Sequence, residues 1–302
     1  MSIPRIRPRF LVVFVPYFWL AFFFLVPFLI VVKISLSRDV TARPPYAPLL
    51  DLAQGWEGLK NFVSELSFSN YALLASDRLY LDSYLQSLQI AALATLTLLL
   101  IGYPIAYAMA RAPERLRPFL VMAVILPFWT SFLIRIYAWM EILSREGFLS
   151  QLLLALGVID RPVEILYTNT AVYIGIVYSY LPLMVLPLYA ALEKMDRTLL
   201  EAAADLGAKP FEAFWRVTFP LSLPGVIAGS LLCFIPAVGE YVNPDLMGGS
   251  ETLMIGKTLW TEFAVNRSWT VSSAVAVVLL FVLIIPILIY QRVEARSLHA
   301  AR

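Results

Sequence analysis

Six long apolar segments constrain this chain more than any other feature. A backbone in lipid must satisfy its own hydrogen bonds, which favours helices, and a spanning helix needs about 20 apolar residues. Segments of that length lie roughly at Phe10–Val32, Leu85–Ala110, Pro118–Met140, Thr170–Leu192, Ser222–Asn243 and Thr270–Tyr290. The sequence therefore predicts an all-α membrane protein with six transmembrane helices.

The composition agrees with this class and excludes others. Hydrophobic residues make up 60% of the chain and charged residues 15%, whereas soluble domains average about 45–50% and about 25%. With one cysteine, Cys233, and one histidine, His299, we expect no disulfide within the chain, no metal site and no cofactor of its own. A net charge of +2 gives no indication of nucleic acid. We predict one transmembrane domain over residues 1–302.

Basic residues predict the orientation. The first apolar run is too long for a signal peptide and lacks a cleavage site, so we expect an uncleaved span. Basic residues are denser on the side that is cytoplasmic when the N-terminus is inside, which places both termini in the cytoplasm. They are Arg5, Arg7, Arg9, Arg111, Arg115, Arg117, Lys194, Arg197, Lys209, Arg216, Arg292, Arg296 and Arg302. Residues of about 33–84 then form an outer loop, and 193–221 an inner one.

The inner loop contains a polar segment with residues that typically begin and end helices. Asp196, Thr198 or both can cap a helix that begins near Leu199. Gly207 can end that helix with a positive φ, and Pro210 suits the first turn of a second helix. The pattern predicts a helix–turn–helix at the membrane surface, here called the elbow; the alternative is a solvated amphipathic loop.

The elbow carries a recognisable motif. It reads Glu201-Ala-Ala, then Gly207 after three residues, then Val217-Thr-Phe-Pro220 after nine more. This resembles the EAA signature of the permease subunits of bacterial ABC importers, with apolar departures at Val217 and Phe219. The resemblance implies a cytoplasmic loop that docks on an ATPase and transmits its closure. The implied coupling residues are Glu201, Ala202, Ala203, Asp205, Gly207 and Lys209.

Three further segments resemble the spermidine/putrescine branch of these permeases. They begin at Gly102, Leu126 and Ile235 and continue to Arg111, Arg135 and Tyr241. The resemblance implies a type I ABC importer permease fold in the bacterial inner membrane, with residues 33–84 in the periplasm. It also implies as partners a second permease, two cytoplasmic ATPase subunits that bind ATP and Mg, and a periplasmic solute-binding protein.

Polar residues inside the spans are candidates for the solute pathway. Pro236 and Gly239 are expected to interrupt the fifth span, and such breaks are tolerated where backbone lines a cavity. Carboxylates and aromatic rings suit an alkylammonium solute. The candidates are Glu240, Tyr241, Asp245, Trp129, Tyr137, Trp139, Glu141, Tyr173 and Tyr180. The alternatives are a hydrated interface for Glu240 and an aromatic belt for the rings. For Arg135 we expect an ion pair with Glu141 or Glu240; the alternatives are snorkelling to water and direct contact with the solute.

Other functions have weaker support. Gly256-Lys257-Thr258 resembles the end of a phosphate-binding loop, but Glu251 stands where that loop needs glycine. We therefore expect a transport subunit without an ATP site, not an enzyme. The alternatives are the same machine with another small solute, a membrane enzyme that uses Glu240 and Asp245, and an ion channel.

Overall fold

The computed structural model describes residues 8–49, 55–196 and 198–300, and it is mainly helical. Four residues of the orientation prediction, Arg5, Arg7, Arg197 and Arg302, lie outside these ranges. The chain divides into two compact units, residues 1–78 with 259–281 and residues 79–258 with 282–302.

The first unit begins with an apolar helix. Helix α1 (Pro8–Leu20) continues through a π-helical turn (Ala21–Leu25) into α2 (Val26–Ser35). Then follow a two-stranded antiparallel ribbon and two short helices: β1 (Arg38–Asp39), β2 (Tyr46–Ala47), α3 (Gly55–Glu65) and α4 (Ser69–Ser76). The Asn70 amide donates to the Ser35 and Ser37 carbonyls at 2.7 and 2.8 Å, which anchors α4 to the end of α2.

The remaining helices complete the chain. They are α5 (Arg78–Arg111), α6 (Arg117–Ile125), α7 (Phe132–Leu143), α8 (Phe148–Ala155), α9 (Asn169–Glu193), α10 (Thr198–Asp205), α11 (Pro210–Ala213), α12 (Phe219–Val238), α13 (Val242–Leu246), α14 (Ile255–Trp260) and α15 (Trp269–Ala300). A 3₁₀ turn (Leu126–Trp129) follows α6, and π-helical turns (Phe214–Thr218 and Thr261–Val265) precede α12 and follow α14.

The core of the second unit lies where α9 packs against α12. Met184 and Leu188 of α9 and Cys233 of α12 are completely buried. Gly225 and Gly229 lie one turn apart on α12, and a Cβ atom at Gly225 would come within 2.6 Å of Ala191 Cβ. Small residues at this spacing allow helices in lipid to approach closely.

Among the described residues, five helices are long and apolar enough to cross a membrane, and a sixth span is present if one bent pair counts as a span. The predicted second and fourth spans lie within α5 and α9. The fifth begins earlier than expected, because one continuous helical segment runs over Pro210–Val238.

Two details of the sequence prediction are wrong. The third span is not one helix: Arg117–Trp129 and Phe132–Ala155 meet at 86°. Pro127 has no N–H to continue the helix, and Thr130 and Ser131 have extended ψ angles of 149° and 135°. Conversely, of the two residues predicted to interrupt the fifth span, Pro236 does not, since α12 continues to Val238, whereas Gly239 ends the helix as predicted.

The α9–α12 contact can be tested with one methyl group. At Gly225 the added Cβ meets Ala191 Cβ and, at 2.9 Å, the backbone oxygen of Pro187, neither of which can move freely. We expect Gly225→Ala to lower the thermal unfolding midpoint in detergent, because overpacking costs about 1–3 kcal/mol.

Gly229→Ala is the matched control. Its nearest neighbour is the Met184 sulfur at 2.9 Å, which a flexible side chain can move. The nearest backbone atom, the Met184 oxygen at 3.1 Å, is also farther away than the Pro187 oxygen is at Gly225, and both variants gain the same helix propensity, so a smaller loss is expected. An equal midpoint for both variants would contradict the packing argument.

Candidate functional site: the elbow and the break in span five

The first arm of the elbow is α10. The Asp196 carboxylate accepts a hydrogen bond from the Thr198 backbone N–H at 3.0 Å, and this bond lowers the pKa of Asp196. Glu201 lies in the first turn, where its negative charge favours the positive end of the helix dipole.

The turn of the elbow is made by backbone bonds. Gly207 has a φ of +82°, its N–H donates to the Ala204 carbonyl at 2.8 Å, and the Ala208 N–H donates to the Ala203 carbonyl at 3.0 Å. This pair of bonds is a Schellman motif, which satisfies carbonyls at a helix end. A Cβ atom at Gly207 would meet nothing within 4 Å, so the requirement for glycine is conformational.

The second arm starts at once. The Glu212 carboxylate accepts from the Lys209 backbone N–H at 3.3 Å, and Pro210 occupies the first turn of α11, where its missing N–H costs nothing. From Pro210 the chain is helical to Val238. The predicted helix–turn–helix is therefore confirmed, and its second arm is the start of span five.

Most of the predicted coupling residues lie on the surface of the elbow. Of the six predicted coupling residues, five are exposed and Ala203 is half-buried. Ala203 lines a pocket of about 250 Å³ together with Gly207, Ala208 and Arg216. The docking role of these residues stays a prediction.

Large apolar side chains also point outward from the elbow. Leu206 is 89% exposed and Phe211 73% exposed. Neither residue is among the coupling residues predicted from the sequence. Their position beside Gly207 and Pro210, in a loop otherwise rich in charge and alanine, is the signal that could have identified them.

At the other end of α12 the helix breaks at Glu240. This side chain is 8% exposed, so it is buried rather than hydrated. One carboxylate oxygen accepts from the Val242 and Asn243 backbone N–H groups at 3.1 and 3.4 Å, and the other accepts from the Tyr180 hydroxyl. Glu240 therefore caps α13 and ties the break to α9.

Two more predicted carboxylates lie on α13, which follows this break, and on α7, which packs against α13. Helix α13 packs against both α7 and α9. Glu141 on α7 and Asp245 on α13 are both exposed. Tyr137, one turn before Glu141, is 56% exposed, so an aromatic ring and a carboxylate share one face of α7. We call Tyr137, Glu141, Glu240, Tyr241 and Asp245 the break cluster.

The other predicted pathway residues are dispersed. Trp129 is 77% exposed in the turn after α6. Trp139 packs edge-on against Tyr178, with ring centroids 5.3 Å apart. The Tyr173 hydroxyl bonds to Thr97 of α5, so Tyr173 and Tyr180 hold α9 to different neighbours.

The prediction for Arg135 is wrong. Within the described part of the chain it forms no ion pair. Its guanidinium lies 5.4 and 5.6 Å from the ring centroids of Phe128 and Phe132, so cation–π contacts replace the expected carboxylate.

Comparison with known proteins identifies the family. Residues 99–299 match the model of the binding-protein-dependent transport system inner membrane component. The chain belongs to this family. It is 42% identical over 275 residues to the spermidine/putrescine transport system permease protein PotB of Salmonella typhimurium (strain LT2), which covers 91% of this chain and 89% of that one. PotB of Escherichia coli (strain K12) is also 42% identical, covering 91% and 93%.

Solved structures show the same fold. A bacterial ABC transporter that imports the acidic polysaccharide alginate superposes with a TM-score of 0.68 at 15% identity, over 95% of this chain and 94% of that one. The alginate transporter in complex with an alginate pentasaccharide-bound periplasmic protein gives 0.65 at 17% identity, over 92% and 95%.

These matches confirm the prediction of an all-α ABC importer permease. The chain is a multi-pass membrane protein of a transport family and not an enzyme, and permeases of this family have no cofactor of their own.

The turn of the elbow can be tested at Gly207. We expect Gly207→Val to abolish transport while the chain still inserts in the membrane, because a residue with a side chain at positive φ costs about 1–2 kcal/mol and β-branching adds to this. Gly207→Asn is the matched control, since asparagine tolerates this conformation. The measurements are transport and membrane insertion of both variants, and equal transport by the two would contradict the conformational requirement.

Proposed function

We propose that this chain is the membrane subunit of an ABC importer that takes up polyamines, putrescine and spermidine, by ATP-driven alternating access. The observation that carries the proposal is the 42% identity to spermidine/putrescine permeases over 91% of the chain. In this proposal the chain works in the bacterial inner membrane as one transmembrane domain, with both termini and the loop at 193–221 in the cytoplasm and the loop at about 33–84 in the periplasm.

The partners follow from the same proposal. A second, related permease completes the pathway, and a periplasmic binding protein delivers the solute. Two cytoplasmic ATPase subunits bind ATP and Mg and dock on the elbow through Glu201, Ala202, Ala203, Asp205, Gly207 and Lys209. The exposed Leu206 and Phe211 give this surface an apolar part, which suits a protein partner better than water.

Continuity of the helix supports the coupling step. The second arm of the elbow and span five form one helical segment, Pro210–Val238. In the proposed mechanism, ATP draws the two ATPases together and displaces the elbow. Because the elbow continues into α12, this displacement shifts α12, whose far end leads into Glu240. ATP binding would open the pathway outward, and hydrolysis and release would return it inward, as rigid elements alternate between two arrangements.

The break cluster suits a polyamine. Such a solute carries ammonium groups joined by short alkyl chains, which carboxylates and aromatic faces can bind. Glu141 and Asp245 are exposed carboxylates, accompanied by the exposed rings of Tyr137 and Tyr241. An ionised side chain in a membrane segment is costly unless it faces water or a partner. We therefore place these carboxylates toward the aqueous pathway between the two permeases.

The two exposed carboxylates allow a cleaner test than Glu240. Replacing Glu240 would also disturb the cap of α13, whereas no such role complicates Glu141. We expect Glu141→Gln and Asp245→Asn each to raise the KM for putrescine uptake about tenfold, because a hydrogen bond to a charged group is worth about 1.5–3 kcal/mol. The measurement is uptake of labelled putrescine by the reconstituted complex.

Glu146→Gln is the matched control, an exposed carboxylate in the turn that follows α7. It should leave the KM unchanged. If no polyamine stimulates the ATPase and another small solute does, the chain is still the permease of an ABC importer, but the proposed solute is wrong. A current through the purified chain alone would favour a channel.

A further inference from the structure

The elbow joins span five through an irregular stretch of helix. Residues 214–218 form a π-helical turn, and the Phe219 backbone N–H donates to the Phe214 carbonyl five residues earlier. A π-helical turn inserts one extra residue into a helix, and such turns are frequent at functional sites. Without lateral support, this turn could absorb a displacement of the elbow instead of passing it on to α12.

One residue of α5 contacts both ends of this turn. The Tyr103 ring lies edge-on to Phe214, the first residue of the turn, with centroids 5.5 Å apart, and 6.1 Å from Phe219, the residue that follows it. Its hydroxyl hydrogen-bonds to the Ser222 hydroxyl at 2.8 Å, and the Ser222 hydroxyl donates to the Phe219 carbonyl at 2.9 Å. We call Tyr103, Phe214, Phe219 and Ser222 the junction.

The hydrogen-bonded pair of the junction is buried, and its two phenylalanines are half-buried. Tyr103 is 8% exposed and Ser222 only 1% exposed. Tyr103 belongs to the hydrophobic cluster formed by α5, α9 and α12, and Phe214 and Phe219 pack against that cluster. Water does not compete for the hydrogen bond in such a place, and aromatic pairs in these geometries contribute beyond the area that they bury.

We propose that Tyr103 supports the π-helical turn from the side and keeps it rigid, so that the elbow and α5 move as one rigid body during transport. The inference rests on the proposed function and deepens it by assigning a positioning residue that touches neither solute nor ATPase. A displacement at α11 then reaches α5 as well as α12, and two spans respond to one docking surface.

The conservative variant Tyr103→Phe tests this assignment. It keeps the ring and removes the hydroxyl, and the Ser222 hydroxyl retains its bond to the Phe219 carbonyl. The reconstituted complex is assayed for putrescine uptake and ATP hydrolysis in the same proteoliposomes. We expect the solute transported per ATP hydrolysed to fall about two- to tenfold, the range for one hydrogen bond, while ATP hydrolysis persists.

Two further variants make the assay specific. Ser222→Ala removes the partner, and a double variant should show no larger loss than either single one if the bond between them is responsible. Tyr107→Phe is the matched control, because Tyr107 lies one turn further along α5 and its ring also meets Phe214, with centroids 6.3 Å apart. It should keep the wild-type ratio.

A distance measurement tests the rigid body directly. The exposed Leu100 of α5 and Leu199 of the elbow, which are not among the proposed docking residues, can be replaced by cysteine and spin-labelled, since the single native cysteine, Cys233, is buried. We expect the label distance to be the same in nucleotide-free and ATP-bound complexes, and to spread when Tyr103→Phe is added.

The outcomes of these experiments distinguish a failure of the role proposed for Tyr103 from a failure of the proposed function. A distance that changes with nucleotide in the otherwise native complex overturns the proposal, as does a wild-type transport ratio in Tyr103→Phe. If uptake and hydrolysis fall together and the ratio is unchanged, Tyr103 has only a structural role, and the proposal fails. The proposed function fails separately, and before any variant is made, if the wild-type complex takes up no polyamine.

Discussion

The close approach of α9 and α12 is the contact on which the second unit depends. Gly225 and Gly229 have no side chains, so α12 comes near enough to bury Met184 and Leu188 of α9 completely. In lipid, where apolar surface gains little from leaving the solvent, such packing is a main source of helix association. Because α9 precedes the elbow and α12 follows it, this contact also holds the two ends of the elbow together.

The break at Glu240 shows how a polar interruption is accommodated near the same helix pair. Unpaired backbone groups are expensive away from water. Here the Glu240 carboxylate accepts the first N–H groups of α13, and the Tyr180 hydroxyl of α9 donates to it. One side chain thus caps the start of α13 and links the break to α9. It leaves Glu141 and Asp245, which are exposed, as the carboxylates of the break cluster that are free of this capping role.

Much of this fold could be predicted from the sequence, because apolar length and capping residues act locally. The elbow follows from Asp196, Gly207 and Pro210, each of which acts on the backbone next to it. The 86° bend of the third span was missed, since the apolar residues on both sides of Thr130 and Ser131 give one long hydrophobic segment and hydropathy does not record a bend. The environment of Arg135 was also missed: its neighbours Phe128 and Phe132 compete with carboxylates, and composition does not show which the guanidinium meets.

The Schellman bonds at Gly207 have a consequence for how this protein can be altered. The turn is held by main-chain groups of residues 203–208, so its shape does not depend on which side chains face outward around it. Leu206 and Phe211 can be exchanged for other residues while the elbow keeps its form. If the elbow docks the ATPase as proposed, a permease of this kind could therefore be matched to a different ATPase by changing the exposed side chains of the elbow, with the transmembrane core left as it is.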